Sequence, residues 1–288
     1  MKYGLFGSHL LGDALMQTPA IRALKLQRPD ATIEYYHSCD RPGAAMLEGN
    51  PYLDRLEQLE VWPRGPGDYP LSRFAAGDAL RPLDALQAYH WATQNGKTLA
   101  EGFGAALGVT VTDLRYDYTI TEAERARGRA LATEYGAGRP IVVVARHSVS
   151  CHSNAGDGSP ANKCIANEHW YEVSAWLSRQ GFQPVAVGSE ADARDERYAA
   201  WEGSRAYGLP IRDVAALVAA SHAVLSIDTG IRHIAAAVGT NLFCVSGAIP
   251  LSLIRCVPVR SGQRIHEIVG AVSDADRAIL IDGASKVL

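Results

Sequence analysis

Lysine is scarce in this 288-residue chain: only Lys2, Lys25, Lys97, Lys163 and Lys286 among its 28 basic residues. Each lysine is therefore a less casual choice than it would be in a lysine-rich protein. A basic excess is also missing. The balance of 28 basic against 31 acidic residues gives a net charge of −3, which argues against non-specific nucleic-acid binding while leaving room for a local basic cleft. Cysteine is sparse: Cys39, Cys151, Cys164, Cys244 and Cys256 are odd in number and scattered, with no CxxC, which suits reduced thiols better than a disulfide framework. No apolar run approaches the roughly 18 residues of a membrane span, and Met1–Phe6 gives way to polar Gly12-Asp13, without a signal-peptide pattern. The expected location is cytoplasmic. What is present, 47% hydrophobic and 20% charged residues, excludes disordered and collagen-like classes. The length predicts two domains of about 120–150 residues.

The order of patterns is that of an α/β protein. Tyr3–Phe6 reads as a strand, Gly7–Asp13 as a loop, Ala14–Gln27 as a helix stopped by Pro29, and Thr32–Tyr36 as a second strand; together they form a βαβ unit with parallel strands. Segment 62–82, rich in Pro, Gly and Arg, reads as loop, and helical patterns run from there to Leu107. A helix over Glu122–Tyr135 is broken at 136–140, and Ile141–Ala145 starts a buried strand, so the domains are expected over 1–138 and 139–288. In the second half the alternation continues. It comprises helix Glu168–Gln180, strand Pro184–Val187, helices Asp192–Trp201 and Ile211–Ala220, strand Ala223–Ile227, helix Gly230–Val238, and a closing strand Asn241–Val245. Two Rossmann-like domains with mainly parallel sheets, facing a cleft, follow from this order.

Three stretches carry candidate chemistry. At Asp228-Thr229-Gly230 a strand runs into a small-residue helix; its first-turn N–H groups make an anion site, or Asp228 and Thr229 simply cap the helix. His233 in that turn either reaches a phosphate or bonds to a carbonyl. The loop Gly7–Asp13 allows close backbone approach but lacks GxGxxG spacing, and Asp13 in it serves as a base toward a hydroxyl or as a helix N-cap. Lys163, before a helix entry at Asn167, either holds a diphosphate or is a surface lysine. His147, Cys151, His152, Cys164 and His169 are a metal-site candidate, but their spacing matches no familiar zinc pattern, and a polar loop is the alternative.

Taken in order, these stretches resemble glycosyltransferase family 9, the ADP-heptose:lipopolysaccharide heptosyltransferases. The resemblance lies in Leu11-Gly12-Asp13-Ala14-Leu15-Met16-Gln17-Thr18-Pro19-Ala20-Ile21-Arg22-Ala23-Leu24, Leu47-Glu48-Gly49-Asn50-Pro51-Tyr52-Leu53-Asp54, Lys163 with Trp170, Val187-Gly188-Ser189-Glu190-Ala191-Asp192, and Asp228-Thr229-Gly230 with His233 and Ala235-Ala236. It spans about residues 3 to 250. It implies a GT-B architecture, with acceptor bound mainly by the first domain and a nucleoside-diphosphate sugar mainly by the second. It further implies inversion at the anomeric carbon without metal or other cofactor, with ADP-heptose as donor and a glycan or protein as acceptor in surface-glycan assembly, and with peripheral contact at the inner membrane compatible. By the same resemblance Asp13 is the general base beside Gly12 on the acceptor side, and Lys163 neutralises the diphosphate. Thr229 and Gly230 offer N–H groups to the phosphates, Ser159 a hydroxyl, and Asp228 and His233 orient sugar or phosphate. Asp192 or Glu190 accepts from the ribose, and Leu209 packs on the base.

Three departures from the family's pattern are expected: Ile231-Arg232 puts a cation beside the phosphate site, the loop 146–161 reads as longer than usual, and the C-terminal segment reads as shortened. A nucleotide-sugar epimerase or hydrolase, or a non-catalytic nucleotide-sugar-binding module, are the competing readings.

Overall fold

The computed structural model describes residues 1–7, 10–38, 42–60, 74–147, 165–193, 201–246, 250–269 and 277–288. The chain forms two compact units, Met1–Thr119 with Ser252–Ile254, and Ile120–Leu251 with Arg255–Leu288.

In unit 1, strands β1 (Lys2–Phe6), β2 (Thr32–Ser38), β3 (Arg55–Leu59) and β4 (Ala79–Pro82) form a sheet in the order β3-β2-β1-β4, and every described pairing is parallel. Helices α1 (Leu11–Gln27), α2 (Ala85–Asn95) and α3 (Leu99–Leu107) complete the unit. The expected loop at 62–82 therefore ends in a strand: Ala79–Pro82 pairs with β1. Proline is tolerated there because β4 is an edge strand and Pro82 is its last residue. Within α1, Pro19 deprives the Leu15 carbonyl of its helical donor. Thr18 supplies the substitute, its hydroxyl donating to Leu15 O at 2.7 Å while accepting from Asp117 N at 2.9 Å. One turn on, Arg22 makes two 2.6 Å bonds to the Asp117 carboxylate. The Thr-Pro-Ala stretch thus ties α1 to segment 113–117.

Unit 2 begins with α4 (Glu122–Gly136), then β5 (Ile141–Ala145), α5 (Asn167–Arg179), β6 (Gln183–Gly188), a one-turn α6 (Glu190–Ala193), β7 (Ser204–Tyr207), α7 (Ile211–Ala219), β8 (Ala223–Ile227), α8 (Gly230–Val238) and β9 (Asn241–Ser246); after a one-turn α9 (Leu251–Ile254), of which Ser252–Ile254 belong to unit 1, it ends with β10 (Ile265–Val269) and α10 (Arg277–Ser285). The sheet order is β10-β9-β8-β5-β6-β7, with every described pairing parallel. From β5 the chain winds outward through β6 and β7, then returns to β5's other side for β8, β9 and β10. This is the doubly wound order, with its switch point between β5 and β8. One face is filled by Trp170, Val173 and Leu177 of α5, packed with Val142, Val144, Leu225 and Phe243.

Four sequence expectations are corrected here. The units divide at Thr119/Ile120 and not at 138/139, because α4 packs on α7 so closely that a Cβ on Gly128 would lie 2.2 Å from Ala216 O. The helix expected over Asp192–Trp201 begins earlier, at Glu190, and Trp201 is outside it; residues 194–200 lie outside the described residues. Its indole donates to Ser204 O at 3.0 Å and turns the chain into β7, a strand the sequence did not signal. Asn241–Ser246 does not close the alternation, since β10 and α10 follow. Finally, Gly7–Asp13 is not loop throughout, for α1 begins at Leu11.

Candidate functional site

In doubly wound sheets ligands bind beyond the carboxyl ends of the strands at the switch point. In unit 2 those ends carry Arg146 and His147 after β5, Asp228-Thr229-Gly230 after β8, Ser189 and Glu190 after β6, and Gly208-Leu209 after β7. The topology thus gathers most of the residues singled out by the resemblance. Lys163 and Ser159 lie outside the described residues, as do Cys151, His152 and Cys164.

Thr229 is the N-cap of α8, its hydroxyl accepting from Ile231 N at 3.2 Å. First-turn N–H groups have no intrahelical acceptors; the cap satisfies that of Ile231, and the positive end of the helix here favours negative charge. Thr229 and Gly230 are both partly exposed. Asp228 is buried, and its carboxylate accepts from Arg232 Nη1 at 3.3 Å. Arg232 is itself fully buried, with Nη2 3.0 Å from Glu267 Oε1 on β10. The cation expected beside the phosphate site is therefore underneath the turn, facing the core. Burial opposes the Arg232 charge, but the Glu267 and Asp228 carboxylates beside it hold its pKa above the ordinary value. Burial also pushes the Cys256 thiol up to about 12, so it stays protonated. His233 is buried, its Nδ1 3.9 Å from Cys256 Sγ.

At the end of β6 the two acidic candidates part. Asp192 is buried, and its Oδ2 accepts from Ser189 N at 2.7 Å and Ser189 Oγ at 2.8 Å, while Oδ1 lies 3.7 Å from His147 Nδ1. Glu190 is exposed, and Leu209 is half-buried just after the left-handed Gly208. Glu190, an exposed residue, is the acid that directly follows the turn after β6, the second strand of this doubly wound sheet.

Arg146 escaped the sequence reading. It is 1% exposed, lies 4.8 Å from the Trp201 ring centre and 5.6 Å from that of Tyr171, and donates to Tyr207 Oη at 3.0 Å. The available signal was an arginine directly following an all-apolar strand of the βαβ pattern. Among the described residues, no group of three His, Cys, Asp or Glu could hold a metal, and no helix is long and apolar enough to cross a membrane.

Unit 1 has its own switch point, between β1 and β4. Asp13 stands there in the first turn of α1, with Gly12 before it; the N-cap is Leu10, so Asp13 does not cap the helix through its side chain. The carboxylate instead sits where the helix dipole favours negative charge. One turn on, buried Gln17 accepts from Tyr35 Oη at 2.8 Å, and burial, with Asp13 nearby, raises the Tyr35 pKa. The Glu48–Asp54 stretch acts structurally. Asn50 Oδ1 accepts from Tyr52 N at 2.9 Å, Gly49 takes a left-handed φ of +70°, and Asp54 accepts from Ile33 N at 2.7 Å.

The fold is thus an α/β fold of the GT-B class, built on two parallel sheets. It resembles a family 9 glycosyltransferase from Veillonella parvula with a TM-score of 0.77 at 14% identity, covering 99% of this chain and 96% of that one. The E. coli ADP-heptose LPS heptosyltransferase II aligns with a TM-score of 0.69 at 17% identity, covering 100% and 98%. The E. coli heptosyltransferase WaaC, solved with ADP, gives 0.65 at 14%, covering 100% of both chains. Comparison with curated proteins by sequence finds no significant match. The model of glycosyltransferase family 9 (heptosyltransferase) matches residues 82–260, more than half of the chain. The chain belongs to that family, and its activity is that of a glycosyltransferase.

Proposed function

We propose that this protein is an inverting, metal-independent glycosyltransferase that moves heptose from ADP-heptose to a hydroxyl of a saccharide or protein acceptor in lipopolysaccharide or surface-glycan assembly. The observation that carries the reading is the capped first turn of α8 at the switch point of the six-stranded sheet, with exposed Glu190 and half-buried Leu209 on neighbouring strand ends. That row of strand ends suits a nucleoside diphosphate, with base and ribose toward β6 and β7 and phosphates toward β5 and β8. The solved E. coli relatives bear on the donor through their names, one as an ADP-heptose transferase and one holding ADP.

Unit 1 takes the acceptor and unit 2 the donor. Asp13 removes the proton from the acceptor hydroxyl as its oxygen attacks the anomeric carbon on the face opposite the diphosphate, which inverts the centre. The bond to the leaving diphosphate breaks, and charge grows on its oxygens. The Thr229 and Gly230 N–H groups, His233, Lys163 and Ser159 meet that charge, stabilising the transition state more than the bound donor. No cofactor takes part.

The test is a mass-spectrometric screen for products from ADP-heptose with lipid A–core fragments and other acceptors, run beside Asp13→Ala. Loss of a general base is expected to lower transfer by about 10²–10⁴-fold while ADP binding persists. Near-normal turnover in the variant would remove Asp13 from the mechanism. Rapid donor consumption without acceptor would favour an epimerase or hydrolase.

A further inference from the structure

Segment 255–269 lies along the whole of α8. At the helix C-terminus, Gln263 Nε2 donates to Thr240 O at 2.9 Å and to Ala235 and Ala236 O at 3.3 Å, and Arg260 Nε donates to Gly239 O at 2.5 Å. Beneath the N-terminus, Glu267 Oε1 pairs with Arg232 while its Oε2 accepts from Cys256 N at 3.1 Å. Arg232 then joins this segment to Asp228, the residue before the capped turn, and its Nη1 also faces Cys244 Sγ on β9 at 3.9 Å. Asp228, Cys244 and Glu267, from β8, β9 and β10 and their ends, meet on one guanidinium with no exposed surface.

A buried arginine carries a large desolvation cost, and its retention under an anion site needs a reason beyond stability. Asp228 supplies one. A carboxylate next to the Thr229–Gly230 turn, left uncompensated, would repel the diphosphate that the N–H groups attract. We propose that Arg232 is a positioning residue for this turn: it holds the Asp228 carboxylate toward the core and offsets its charge, so that the turn presents N–H dipoles to a nucleoside diphosphate. The inference rests on the donor-site reading above. It also assigns Asp228 an inward role, shaping the turn in place of touching the sugar.

The test titrates full-length protein with ADP and with uncharged adenosine by calorimetry. The variant Arg232→Met with Glu267→Gln leaves Asp228 uncompensated; a second variant adds Asp228→Asn. The first is expected to lose about tenfold or more in ADP affinity, with adenosine within about twofold of wild type, and the second to regain ADP. Equal loss of ADP and adenosine, or no recovery in the second variant, overturns the proposal, because a merely structural arginine is not rescued by removing a charge. Arg232→Lys keeps the cation, and it too retains the preference for ADP. Should the first variant not fold, the decision falls to the other two: the ADP preference must survive in both, and its collapse in either overturns the proposal. Wild-type protein that binds no nucleoside diphosphate would instead overturn the donor-site reading, a result visible before any variant is compared.

Discussion

Asp192 Oδ2 takes two hydrogen bonds from Ser189, whereas Glu190, on the same short helix, faces solvent. The sequence offered these two acids as equals for the ribose, and burial separates them. Asp192→Ala removes the acceptor that holds the turn after β6 and is expected to cost about 1–2 kcal/mol of stability, the scale of a lost cap. Glu190→Ala leaves the fold intact and is expected to weaken ADP binding by about tenfold or more, the scale of one hydrogen bond to a charged group. Thermal melts and calorimetry on the two variants check this, and the reverse pattern would exchange their roles. The Asp-Thr-Gly turn was legible because strand, cap and small-residue helix are local signals. The pairing of Arg232 with Glu267 was not, because 35 positions of chain separate partners that only the β9–β10 pairing brings together.

Helix α4 shows why the division between the units escaped a reading by punctuation. The Gly and Pro at 136–140 mark a real end, since α4 stops at Gly136, but a helix belongs to whatever it packs against. Gly128 lets α4 settle onto the backbone of α7, and Arg212 Nε reaches back to Glu124 at 2.6 Å. An exposed helical Gly→Ala change gains about 1 kcal/mol. At Gly128 the added methyl meets a carbonyl oxygen that cannot rotate away, so Gly128→Ala is expected to lower stability by about 1–3 kcal/mol net; a stabilised variant in urea unfolding would show that the α4–α7 approach is loose. Helix α1 makes the complementary point. Its Thr18-Pro19 pair was legible as a motif, while its work, repairing the Leu15 carbonyl and receiving Asp117 N, was not. Thr18→Val keeps the shape and removes both bonds, for an expected loss of about 1–3 kcal/mol in the same measurement.

Acid stability links the two units through separate carboxylates. In unit 1 the hydrogen bonds from Arg115, against burial and with help from Arg22, lower Asp113 to about 2. In unit 2 those from Arg212, against burial and with help from Thr121, lower Glu124 to about 2. A carboxyl whose folded pKa is depressed contributes stability that is complete above its unfolded value, 3.8 for Asp113 and 4.5 for Glu124, and lost as pH falls toward 2. Asp117 has the opposite sign: burial raises its pKa despite Arg22, so its protonation favours the fold and softens the loss. The Asp113 contribution in unit 1 should therefore be lost as pH falls from about 3.8 toward 2, and the Glu124 contribution in unit 2 as it falls from about 4.5 toward 2. Glu124→Gln isolates one contribution. At neutral pH it is expected to cost about 1–2 kcal/mol, discounted for the partial exposure of the pair, and the gap to wild type should close as pH approaches 2. Urea unfolding at a series of pH values measures that gap, and a gap independent of pH would mean that the Arg212 pair contributes through packing and not through charge.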